Sequence, residues 1–177
     1  MKSVSPVNKY YNLVAEIEEE FPGFRVIEKE GNRFMLFLYH LSLMRFWNPH
    51  FMTRFITTAF GCVYMPRDLI GTDIGADVLR HERVHLRQAA RWGMLFYLSY
   101  LLLPLPAFFT FRAYWEFEAY CESLRCEKER YGVVYSETFN YFVDLFVGPA
   151  YLWMCPFRGY VEKKFLDFLK NEDIRLV

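Results

Sequence analysis

Two imidazoles stand four residues apart, with a carboxylate beside the first, in Leu79-Arg80-His81-Glu82-Arg83-Val84-His85. On a helix, residues four apart lie one turn apart on the same face, so His81 and His85 can point at a single metal ion. Glu82 is rotated by about 100° from His81, which keeps its carboxylate within reach of a water on that ion. Zinc suits this donor set. It lowers the pKa of a bound water towards ~7, and a carboxylate can take the proton as that water attacks a carbonyl. The competing reading is a surface helix with two solvated histidines. Context favours the metal: a cap cluster precedes the helix, a β-rich segment lies upstream, and half of the four histidines are here.

A hydrolytic zinc site usually has three protein ligands plus water, so a third must come from elsewhere. His40 and His50 lie in or beside an apolar segment and read as structural residues. The better source is Arg112-Ala113-Tyr114-Trp115-Glu116-Phe117-Glu118-Ala119-Tyr120. On a helix Arg112, Glu116 and Tyr120 share one face, Glu118 points away from it, and the small Ala119 lets a neighbouring helix approach. Glu116 is the candidate ligand. Tyr114 and Tyr120 are candidate oxyanion donors, and Tyr120, one turn from Glu116, is the better placed.

HExxH followed by a helix carrying E-x-x-A resembles the gluzincin branch of the zincin metallopeptidases, especially the membrane-anchored CaaX-prenyl proteases and the bacterial heat-shock membrane peptidases. The resemblance implies a zincin-like fold, peptidase activity, bound zinc, and Glu116 in Glu116-Phe117-Glu118-Ala119-Tyr120 as third ligand. Its Asp position falls on Tyr120, and its Arg stands three residues before the ligand, whereas Arg112 stands four before Glu116. The resemblance spans roughly residues 55–121. It also implies that an edge strand beside the active-site helix pairs with an extended substrate, a role for residues 55–65, with an ordinary core strand as the equal alternative. Peptide deformylase-like amidases combine HExxH with an upstream Cys ligand, and Cys62 lies upstream, but the rest of that pattern is missing.

Positioning these groups falls to a mainly helical set of elements. Leu13, Val14 and Ile17 lie at helical spacing in residues 8–20, and Phe21-Pro22-Gly23 breaks that helix. Residues 24–28 alternate as a short strand, Gly31-Asn32 reads as a turn, and residues 33–47 as a buried helix stopped by Asn48-Pro49. Residues 55–65 (FITTAFGCVYM) read as one strand. Gly71-Thr72-Asp73 forms a cap cluster for a helix over 74–92 that Gly93 ends. Further helices are expected over 107–130, 136–147 and 160–170. The sum is one α+β domain over 1–177, mainly helical, with a short β-sheet before the HExxH helix.

Charge sums to zero, so nothing invites nucleic acid. The N-terminus carries neither a secretory signal nor a transit peptide, so the expected compartment is cytoplasmic, with Cys62, Cys121, Cys126 and Cys155 as thiols. Aromatic residues make up 20% of a chain that is 54% hydrophobic, against about 45–50% apolar in ordinary domains. The surplus needs a dense core, a partner or a membrane.

Residues 92–111, between Arg91 and Arg112, carry no charged side chain. By length this is a membrane-span candidate. A single crossing, however, puts His81 and His85 on one side and Glu116 on the other. A straight helix from His85 to Pro104 covers about 28 Å, against about 15 Å from Pro106 back to Glu116. The helix must therefore bend or stop, and Gly93 is the natural place. What remains is a buried helical hairpin or a shallow re-entrant membrane contact through 92–111. Arg80, Arg83, Arg87 and Arg91 form a basic stripe that reads as a solvated or salt-bridged face, with substrate carboxylate or lipid headgroups as the alternative. The expected partner is a peptide or protein substrate. The competing function is a non-catalytic zinc-binding structural or assembly protein with an aromatic interaction surface.

Overall fold

The computed structural model describes residues 6–41, 51–101, 112–149 and 153–177. Helices dominate, and the strands gather in one three-stranded sheet ahead of the HExxH helix, giving the mainly helical α+β class expected. The chain forms two compact units, Met1–Leu86 and Arg87–Val177.

In the first unit, α1 (Pro6–Glu20) buries Tyr10, Leu13 and Ile17, the spacing of one helical face. They join Val63 and Met65 of the sheet and Ala76, Leu79 and Leu86 of the HExxH helix in one apolar cluster. Strand β1 (Arg25–Glu28) runs parallel to β3 (Cys62–Met65), and β2 (Thr57–Ala59) runs antiparallel to it, so the order is β1-β3-β2. β3 is central and largely buried; β2 is an edge.

Residues 55–65 are a hairpin, not one strand. Phe60 (φ 50°) and Gly61 (φ 76°) both sit in the left-handed region, the two-residue loop whose twist matches antiparallel strands. The expected buried helix over 33–47 is α2 (Arg33–Leu41) with only Met35 fully buried; Leu36 and Phe37 face solvent, and 42–47 lies outside the described residues. Asn32 does more than turn the chain. Its side-chain oxygen accepts from the N–H groups of Phe34 (3.0 Å) and Met35 (3.1 Å), capping α2. A single turn, α3 (Phe51–Arg54), leads into β2.

The HExxH helix is α4 (Asp73–Trp92), within which the division between the units falls. Thr72 caps it: its Oγ1 accepts from the Gly75 N–H at 2.9 Å and donates to the Leu69 carbonyl at 2.8 Å. Gly75 is obligatory there, because a Cβ would stand 1.9 Å from the Leu69 oxygen. Gly93 (φ 55°) ends the helix with its N–H on Ala89 O, and α5 (Met94–Leu101) begins directly after. Among the described residues no helix is long and apolar enough to cross a membrane; residues 102–111 lie outside them.

The second unit is built from α5, α6 (Arg112–Tyr131), α7 (Ser136–Val147) and α8 (Arg158–Asn171). Tyr120, Cys121 and Leu124 meet Phe139, Val143 and Phe146 and then Val161, Phe165 and Leu169. Here much of the aromatic surplus is spent: Phe117, Tyr120, Phe139, Phe142, Phe146 and Phe165 interlock with ring centroids 4.7–6.3 Å apart. All four cysteines are thiols, and burial pushes the Cys121 thiol up to about 12.

Candidate metal centre

The four-residue spacing on α4 brings the rings of His81 and His85 edge to face, with centroids 5.1 Å apart. Glu116, from α6, completes the group: one ligand atom from each of His81, His85 and Glu116 lies within 4.8 Å of the others. Among the described residues it is the one such group of His, Cys, Asp and Glu side chains. His85 and Glu116 are buried and His81 is half-buried, so the donors sit where water competes weakly for an ion. Two imidazole nitrogens and a carboxylate oxygen form a donor set that suits zinc and leaves a fourth tetrahedral position.

Around this group stand three residues that spacing did not single out. Thr58, on edge strand β2, donates its hydroxyl to Glu82 Oε2 at 2.5 Å, and Glu82 is itself buried. Lys29, fully buried at the end of β1, donates Nζ to the Phe55 carbonyl (2.7 Å) and to Thr57 Oγ1 (2.9 Å) and lies 3.7 Å over the Phe51 ring. Burial lowers its ammonium to about 7, against the pull of the Glu82 and Glu30 carboxylates. Gln88, buried on α4 one turn after His85, donates Nε2 to the Trp115 carbonyl (3.0 Å) and to Glu118 Oε2 (2.8 Å). Trp115, directly before Glu116, donates its indole N–H to Ser99 Oγ at 3.0 Å and packs on Trp92 and Phe96. The signal that could have found Gln88 is its place on the histidine face, three residues after His85; nothing in the local sequence marks Lys29 or Thr58.

Glu118, expected to point away, reaches α4 through the length of the Gln88 side chain and also accepts from Tyr114, whose phenol it holds above its ordinary pKa. Tyr114 is largely exposed. The Tyr120 ring packs on Phe142 (4.7 Å) and Phe146 (5.8 Å) in the core of the second unit. His40 is exposed at the end of α2, edge-on to Tyr39; His50 lies outside the described residues. Cys62 is half-buried in β3 and outside the ligand group. Of the arginine stripe, Arg83 is salt-bridged to Glu16 (3.3 Å) and Glu20 (2.6 Å) of α1, and Arg91 lies beside the Trp92 ring.

No protein-family model matches the chain, and neither the curated proteins nor the solved structures contain a significant match to it. The functional reading therefore rests on the residues themselves.

Proposed function

We propose that this chain is a zinc-dependent metallopeptidase that hydrolyses peptide bonds. The observation that carries the reading is the convergence of His81, His85 and Glu116, with Glu82 on the same helix as both histidines. These three side chains hold the metal. Zinc, when bound, supplies a Lewis acid that lowers the pKa of a water and polarises the substrate carbonyl. Glu82 takes the proton of the attacking water at a carboxylate oxygen and delivers it to the leaving amine nitrogen. Burial of Glu82 and Glu116 keeps bulk water from screening these charges. β2, at the sheet edge and bonded through Thr58 to Glu82, suits pairing with an extended peptide. The carboxylate at position 82 favours catalysis over a structural site, because a structural zinc needs no general base.

The test measures zinc by elemental analysis alongside cleavage of an unstructured protein such as casein. Glu82→Gln should keep the metal and lose cleavage; His85→Ala should lose both. Equal zinc in wild type and His85→Ala ends the ligand assignment, and undiminished cleavage by Glu82→Gln removes the general base.

A further inference from the structure

The side chains of one strand alternate between faces, and β2 uses both. Thr57 faces Lys29, which is fully buried and donates to Thr57 Oγ1 and to the carbonyl of Phe55 just before the strand. Thr58 faces α4 and donates to Glu82. β2 is only three residues long, and among the described residues its one ladder partner is β3, through Thr57↔Tyr64, Thr58↔Val63 and Ala59↔Cys62. So short an edge is held weakly by its ladder alone. Enclosing a lysine in an apolar setting is costly unless its donors are engaged, and here one hydrogen goes to Thr57 of the strand, a second to the Phe55 carbonyl that leads into it, and the charge lies over the Phe51 ring. The lysine acts as a pin.

We propose that Thr58 is a positioning residue for Glu82, and that Lys29 fixes the edge strand from which Thr58 acts. The proposal rests on the peptidase reading for its effect on turnover, but the contact itself does not need a metal or a substrate. A glutamate side chain has three rotatable bonds. The Thr58 hydroxyl on Oε2 holds the group in one orientation, so its proton-accepting geometry exists before substrate arrives. An unheld Glu82 would still bind neither more nor less metal, because it is not in the ligand group.

Two readouts separate this inference from the peptidase reading. The first is a double-mutant cycle on the metal-free protein, using urea unfolding of Thr58→Val, Glu82→Ala and the double variant. Thr58→Val keeps shape and strand propensity and removes only the hydroxyl. The double variant should be less destabilised than the sum of the singles, and additivity overturns the contact. The same cycle on a Lys29→Met background, or on Thr57→Val should Lys29→Met not fold, should show a smaller coupling; an unchanged one removes Lys29 from the device. The second readout is kinetic. Thr58→Val should lower kcat by ~10–100-fold, part of the 10²–10⁴ that a general base contributes. KM and zinc content should not change, and Thr58→Ser should recover turnover. Wild-type kcat in Thr58→Val overturns the positioning role. An inactive wild-type protein with a coupled cycle sinks the peptidase reading and Thr58's part in turnover, and leaves the hydrogen bond standing.

Discussion

The Gln88 side-chain amide donates to the main-chain carbonyl of Trp115 at 3.0 Å, one residue before Glu116. Gln88 follows His85 by three residues on α4, so this bond joins the end of that helix to the stretch of α6 that carries Glu116. The same amide reaches Glu118 at 2.8 Å, and the bond to the Trp115 carbonyl is buried, away from competing water. Gln88→Met keeps length and packing but removes both donors. We expect zinc affinity to fall by about 10-fold, in the range seen when groups supporting a ligand are lost, and stability to fall by about 0.5–1.5 kcal/mol from the loss of the buried bond to the Trp115 carbonyl. Competition with a chromophoric chelator measures the first and urea unfolding the second. An unchanged zinc affinity would show that Glu116 is placed by other contacts.

Much of this arrangement was readable because helix geometry is local. The spacing of His81 and His85, the stop at Gly93 and the bounds of the 136–147 helix follow from period, caps and glycine, and the structure has them there. Glu116 follows only from helix face together with a family likeness, since no local pattern joins α6 to the histidines. The same non-locality hid Thr58 and Lys29. Lys29 sits among Glu28, Glu30 and Gly31, a context that reads as a solvated turn, and only the sheet order β1-β3-β2 encloses it. The hairpin was missed because Phe60 hides the first position of a loop that usually carries Asn or Gly, leaving 55–65 looking like one β-rich run.

Metal binding through Glu116 should appear as stabilisation. A ligand that binds only the folded state stabilises by RT ln(1 + [L]/Kd), about 2.7 kcal/mol at a hundredfold excess over Kd. Wild-type protein should therefore melt several degrees higher with added zinc than after treatment with a chelator. Glu116→Ala should lose most of that increment, because two histidines alone hold zinc weakly. Equal zinc-dependent shifts in wild type and Glu116→Ala would remove Glu116 from the ligand set.

Gly75 offers a test of how α4 is seated. In an open helix, Gly→Ala stabilises by about 1 kcal/mol. Here the new Cβ would stand 1.9 Å from the Leu69 carbonyl oxygen and 3.2 Å from Thr72 Oγ1, the capping atom. The clash is with backbone, so the helix start must shift and the cap must loosen. Gly75→Ala should destabilise by about 1–3 kcal/mol, the usual range for overpacking. Urea denaturation monitored by far-UV circular dichroism decides it. A more stable Gly75→Ala protein would mean that Leu69 and Thr72 do not hold the start of α4.

Lys29 should leave a signature in the pH dependence of stability. In the unfolded chain it titrates near the ordinary 10.5, whereas burial lowers it to about 7 in the fold. Below about 7 both states carry the proton, and the cost of enclosing the charge is fully present. Between about 7 and 10.5 the unfolded chain holds the proton while the folded protein has released it, so this residue's contribution rises with pH. One proton gives a slope of at most about 1.4 kcal/mol per pH unit. The neutral amine still donates to Phe55 O and Thr57 Oγ1, so the strand keeps its pin as the charge is lost. Other groups titrate in the same window, and the difference between wild type and Lys29→Met isolates this one. Unfolding free energies from pH 6 to 10 should show wild type gaining stability relative to the variant as pH rises. Parallel curves would place the Lys29 ammonium in a solvated setting and dissolve the pin.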